Sequence, residues 1–256
     1  MTAAGLNSLF PVGDFSIIGF AAIPRRLPRI VRRMAQTVRA VLARRPHALV
    51  IIDSPAFTLR VARYAHWFDR SIPIIDYVSP SVWAWRPGRA CAMSSYIDHV
   101  LALLPFEPDV HRSLGGPPCS YVGHPLIDTV RATKSKNEFC RAHNLDPAKP
   151  ILALLPGSRK KEIRYILPTL CEVANRIRTM KRDTQFVLPA APNLDRHLIE
   201  ELVRGTSIRI ISNDTYNAIR YARAAIVASG TATLETALLG TPEVIVYRIS
   251  GSKHGS

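Results

Sequence analysis

Ile151-Leu152-Ala153-Leu154-Leu155-Pro156-Gly157-Ser158-Arg159-Lys160-Lys161-Glu162-Ile163 reads as a buried strand, a tight turn and the opening of a helix. Five apolar residues in succession suit a strand covered on both faces, as in parallel sheets. Gly157 lets the backbone approach a ligand, and the amides that follow point outward with the positive end of the helix dipole. Arg159 adds a planar fork suited to a diphosphate. Gly157, Ser158 and Arg159 are therefore candidate nucleotide-binding residues. A plain strand-to-helix turn with solvated basic residues has the same pattern.

Working outward, similar apolar runs occur at 48–52, 72–78, 99–104, 185–188, 208–211, 224–228 and 244–248, with helical periodicity between most of them. This alternation predicts an α/β fold with a mainly parallel sheet. The polar stretch 131–144, followed by Asp146-Pro147 and Lys149-Pro150, divides the chain. The expected units are 1–140 and 141–256. Each is short for a doubly wound domain, which has about six strands.

Of 256 residues, 47% are hydrophobic and 21% charged, a composition that excludes general disorder. Lys plus Arg number 34 against 19 Asp plus Glu, a formal charge of +15 that favours an anionic partner. Nucleic acid is disfavoured, because no reading motif accompanies the charge. Cys91, Cys119, Cys140 and Cys171 are widely spaced, which suits a reducing compartment and gives no zinc or disulfide pattern. No apolar run reaches the ~20 residues of a spanning helix, and no signal-peptide pattern opens the chain.

A second strand-end loop is Ser229-Gly230-Thr231-Ala232-Thr233-Leu234-Glu235. Ser229 or Thr231 can cap the following helix and Gly240 can end it. Capping leaves Glu235 unexplained, and a carboxylate there can accept both hydroxyls of a ribose. In Ile52-Asp53-Ser54-Pro55-Ala56-Phe57, Asp53 sits where open α/β sheets place ligands, as a candidate base or a helix cap. Trp83 and Trp85 share a Pro-bounded loop with Arg86 and Arg89, placed for contact with sugar or acyl chain. Glu107 and His124 lie in two further strand-end turns. Residues 25–45 form a basic amphipathic helix. It is an ordinary surface helix, or else a face for anionic lipid, each cation adding ~1 kcal/mol.

Taken in order, these elements resemble the lipid-A-disaccharide synthase family of Gram-negative outer-membrane assembly. The resemblance rests on Ile52-Asp53-Ser54-Pro55, Ser79-Pro80-Ser81-Val82-Trp83-Ala84-Trp85, Leu104-Pro105-Phe106-Glu107, Val122-Gly123-His124-Pro125-Leu126, Leu155-Pro156-Gly157-Ser158-Arg159 and Ser229-Gly230-Thr231-Ala232-Thr233-Leu234-Glu235. The Trp-Ala-Trp and Gly-His-Pro-Leu elements are quite specific. The Ser-Gly-Thr…Glu element is shared with other two-domain (GT-B) glycosyltransferases.

The resemblance implies two Rossmann-like parallel-sheet domains of GT-B type, the first on the acceptor side and the second binding the nucleotide sugar. The substrates implied are UDP-2,3-diacylglucosamine and 2,3-diacylglucosamine 1-phosphate, joined with inversion into a β-1,6-linked disaccharide with release of UDP. Asp53 matches the family's strand-end aspartate. Gly157, Ser158, Arg159, Ser229, Gly230, Thr231, Thr233 and Glu235 match its nucleotide side, and Trp83, Trp85, Glu107 and His124 its acceptor cleft. Neither metal nor cofactor is implied. The expected setting is cytoplasmic, peripheral at the inner face of the inner membrane, with homodimers among intact members.

The sequence departs from the pattern at both ends. The family opens with a strand and a Gly-Glu-x-Ser-Gly-Asp loop absent here, and it continues past Arg248 where this chain has an unrelated tail, 249–256. The implied chain is truncated at both ends, with both domains incomplete and activity below that of an intact member. Ala56 stands where an acidic residue is usual and Glu243 where an apolar one is, a costly exchange unless paired. Two other readings remain open: another UDP-sugar enzyme of the same fold, and a non-catalytic basic protein that binds anionic lipid.

Overall fold

A computed structural model describes residues 8–10, 23–191 and 194–247, with the side chains of 23–26 outside the description. The expected tail 249–256, Arg248 and the Arg25 side chain lie outside the described residues. Two compact units result, Met1–His124 and Pro125–Ser256.

The first unit contains α1 (Ile23–Arg44), β1 (Leu49–Ile52), α2 (Pro55–Phe68), β2 (Ile74–Tyr77), α3 (Gly88–Met93), β3 (His99–Ala102), α4 (Glu107–Ser113) and β4 (Cys119–Tyr121). Its strands are all parallel in the order β1-β2-β3-β4. Ile51, Ile74 and Val100 pack with Leu59, Ala62 and Ala65 of α2 and Met93 of α3. On β1 the alternate residues Val50 and Ile52 stay about half exposed. The polar run Cys119–Tyr121 is too short and mixed to show as a strand in the sequence, yet it pairs with β3. Pro28 sits inside α1, and Leu27 and Val31 on its apolar stripe are more than half exposed.

The second unit contains α5 (Leu126–Thr129), α6 (Lys136–Ala142), β5 (Ile151–Leu155), α7 (Lys160–Met180), β6 (Gln185–Ala190), α8 (Arg196–Val203), β7 (Ile208–Ser212), α9 (Thr215–Arg220), β8 (Ala224–Ala228), α10 (Thr231–Leu238) and β9 (Glu243–Val246). The order is β7-β6-β5-β8-β9, all parallel. Its sheet is covered on both faces, as the unbroken apolar strands require. Ala153, Leu155 and Val227 pack on one side with Phe139 and Ile219, while Leu154, Phe186 and Leu188 pack on the other with Ile163, Leu167 and Ile199. Among the described residues of this sheet, β9 at its edge leaves Val244 and Ile245 more than half exposed.

The division falls at 124/125, earlier than the expected 140/141. The polar stretch that suggested a linker folds instead as α6, closed by a capping box between Ser135 and Glu138. Val130, Phe139, Cys140 and Leu145 bury against Ile151 and Ile219, which ties this stretch to the second sheet. Polar residues at a helix start had masked the apolar face behind them.

Candidate functional site

The strand order of the second unit reverses direction between β5 and β8, the point at which open α/β sheets bind ligands. The loops leaving these neighbouring strands are the two that the sequence singled out. They line one cavity of about 340 Å³, within the range of small-molecule sites. Gly157, Ser158 and Arg159 from one loop and Ser229, Gly230 and Thr231 from the other line it, together with Thr215 and Glu235.

Neither Ser229 nor Thr231 caps α10. Gly230 occupies the cap position without a side-chain bond. Thr233 faces back, donating to the Gly230 carbonyl at 2.7 Å. Glu235 Oε1 accepts from the Tyr216 hydroxyl at 3.2 Å. Burial, followed by the charge of Glu235 and this bond, raises the Tyr216 pKa.

The loop after β5 holds a surprise. The amides of Ser158 and Arg159, expected to point at a ligand, donate to Glu162 Oε2 at 3.0 and 3.2 Å. The Arg159 guanidinium donates to Glu162 Oε1 at 2.5 Å, and its side chain remains 66% exposed. Gly157 has φ +109°, and a Cβ there would collide with the Glu162 carboxylate and lie 2.8 Å from its Cβ. The glycine is thus required by Glu162 as much as by its own backbone.

A second cavity of about 460 Å³ adjoins the first and shares Ala191, Thr215 and Glu235 with it. Asp214, on its wall, is buried and accepts from Lys134 Nζ (2.6 Å) and Asn217 Nδ2 (2.6 Å), with His143 Nε2 at 2.8 Å. Burial alone would raise the Asp214 pKa, but the bonds from Lys134, Asn217 and His143 outweigh it and hold the carboxyl below its usual range. Asn217 Oδ1 in turn accepts from the amides of Thr133 and Lys134, fixing the segment before α6.

In the first unit, Asp53 follows β1 with φ +51°, next to Ser54 at +52°, and Val78 after the neighbouring β2 has φ +76°. A left-handed β-branched residue costs of order 1–3 kcal/mol, so strain gathers at this strand end. Asp53 is exposed and its carboxylate makes no hydrogen bond among the described residues; the cap reading fails, since α2 has no side-chain cap. Asp76 on β2 is 3% exposed, its Oδ2 lacks a hydrogen-bond partner, and burial and then the Asp53 charge push its pKa up to about 7.

Trp83 packs edge-on against Phe106 and is half exposed, while Trp85 is 65% exposed with the Arg86 guanidinium over its ring at 5.6 Å. Glu107 is buried, and its Oε2 accepts from the amides of Leu103 and Leu104. It closes its own turn. His124 is half-buried at the end of the unit.

A family model described as lipid-A-disaccharide synthetase matches residues 1–252. The chain belongs to the lipid-A-disaccharide synthetase family. It is 48% identical to the lipid-A-disaccharide synthase of Nitrobacter winogradskyi over 255 residues, covering 97% of this chain and 63% of that one. The synthase of Rhodospirillum centenum is 39% identical over 258 residues, with 99% and 64% covered. The chain thus spans a little under two thirds of these family members. Among solved structures, a Staphylococcus aureus MnaA–UDP co-structure matches with a TM-score of 0.62 at 14% identity, covering 85% of this chain and 63% of that one. The UDP-GlcNAc 2-epimerase of Neisseria meningitidis bound to UDP-GlcNAc gives 0.61 at 13%, with 84% and 63% covered. These two share the fold with this chain.

Sequence reasoning assigned no role to Glu162, Asp76, Asp214 or Tyr216. Glu162 had a signal: a Glu three residues after a helix-start position is half of a capping box. The other three become visible only when strands from distant segments are paired. No group of three or more His, Cys, Asp or Glu suited to a metal occurs among the described residues, and no described helix is long and apolar enough to cross a membrane.

Proposed function

We propose that the second unit binds the UDP portion of UDP-2,3-diacylglucosamine, as the donor half of an inverting transferase that makes lipid A disaccharide 1-phosphate. The observation that carries this is the shared cavity at the strand-order reversal, with Arg159, the Ser229–Thr231 loop and Glu235 on its walls. Arg159 and the loop amides offset the charge that develops on the departing diphosphate, and Glu235 accepts the ribose hydroxyls. In the transfer, the acceptor hydroxyl oxygen bonds to the anomeric carbon as the bond to UDP breaks. The hydroxyl proton passes to a base, for which Asp53 is the candidate, being exposed at a strained strand end and free of a capping bond.

Trp83, Trp85 and His124 belong to the acceptor side, where exposed indoles suit a sugar ring or acyl chain. The donor is a substrate and the chemistry needs no cofactor. The exposed arginines of α1, Arg29, Arg32 and Arg39, suit a peripheral position at an anionic membrane surface on the cytoplasmic side.

Calorimetry with UDP tests the reading. The chain is expected to bind UDP, and Arg159→Ala to weaken binding at least ~10-fold without lowering Tm, since the side chain is exposed. Failure to bind UDP, or equal binding by Arg159→Ala, would overturn it.

A further inference from the structure

We propose that Glu162 is an internal competitor for the nucleotide's phosphates, so that it sets how tightly UDP is held. The inference rests on the nucleotide reading above and names a residue which that reading leaves without a role. Glu162 takes the donors of the β5 loop with both oxygens: two successive amides on Oε2 and the Arg159 guanidinium on Oε1. This set, two backbone N–H groups and an arginine fork, is what a phosphate oxygen pair requires. Glu162 reaches it because Gly157 has no Cβ, which leaves room for the carboxylate against the backbone.

Both partners remain reachable from the cavity that they line, with the Arg159 side chain 66% and the Glu162 side chain 29% exposed. A diphosphate entering beside Ser229 and Gly230 therefore exchanges charge-assisted bonds for others of the same kind. Two anions cannot share these donors without repulsion, so the carboxylate must swing aside. When UDP leaves, Glu162 retakes Arg159 and the amides, which favours release of the product. Glu162 also forms half of a helix-start capping box, and that role alone predicts the opposite effect of its removal.

UDP calorimetry on the native chain, Glu162→Gln, Arg159→Ala and the double variant separates the two. Glutamine keeps an amide-accepting oxygen and loses the charge, so the fold is retained, checked by Tm. Expected is UDP binding about tenfold tighter in Glu162→Gln, with the gain shrinking when Arg159 is already alanine. If the native chain binds UDP and Arg159→Ala weakens it, yet Glu162→Gln binds no more tightly, the competitor role is overturned and the nucleotide reading stands. If neither the native chain nor Glu162→Gln binds UDP, both are overturned.

Discussion

Asp76 on β2 is held protonated up to about pH 7 by its burial and by the charge of Asp53, which follows the neighbouring strand β1. A carboxyl whose folded-state pKa lies above its unfolded value binds its proton more tightly in the native state. Its contribution to stability is therefore full at low pH and is lost as pH rises from 3.8 towards about 7. Asp76→Asn removes this dependence. Its Tm should exceed that of the native chain at pH 8 and gain nothing at pH 4; an equal change at both pH values would mean that Asp76 is not the titrating group.

Asp214→Ala should cost about 3 kcal/mol of unfolding free energy, because it strands Lys134, Asn217 and His143 around a buried site. Lys134→Ala should cost well under ~1 kcal/mol for the pair itself, its side chain being 41% exposed. Urea melts of the two variants decide this. Equal losses would show that the segment before α6, and not the carboxylate, is what matters.

Glu235→Ala should remove the preference for UDP over 2′-deoxy-UDP. The native chain is expected to favour UDP by roughly tenfold, the worth of one charge-assisted hydrogen bond. Tyr216→Phe, which loses the hydroxyl that donates to Glu235 at 3.2 Å, should retain most of that preference. A native chain indifferent to the 2′-hydroxyl would take Glu235 out of the ribose role.

Gly157→Ala should lower stability by roughly 1–3 kcal/mol, through the strained φ and the contact with Glu162. Gly230→Ala is the control: its φ is extended, and the nearest atom to a Cβ would be 4.0 Å away. Matching losses in thermal melts would refute the argument from Gly157's neighbours.

The sequence reveals the second unit more fully than the first. Its strands are continuous apolar runs, so β5 and β8 stand where the periodicity puts them, and both loops of the cavity were found from their strand-end positions. Its spacing marks Glu162 as half of a capping box, but local pattern could not show that the Arg159 guanidinium and the Ser158 amide join it in the space left by Gly157. Nor could it show Asp76, a polar residue within an apolar run whose burial follows from its pairing with Ile51 and Val100. Glu243 was legible. Its Oε2 is buried without a partner and burial raises its pKa, the cost expected of a carboxylate at that position.

The open flank of β9 bears on how the purified chain behaves in solution. Among the described residues Val244 and Ile245 sit on a strand with one neighbour, whose outer row of backbone donors and acceptors is a template for another chain. Light scattering should climb steeply with protein concentration. A lysine placed at Val244 should suppress it, as charged gatekeepers do on natural sheet borders.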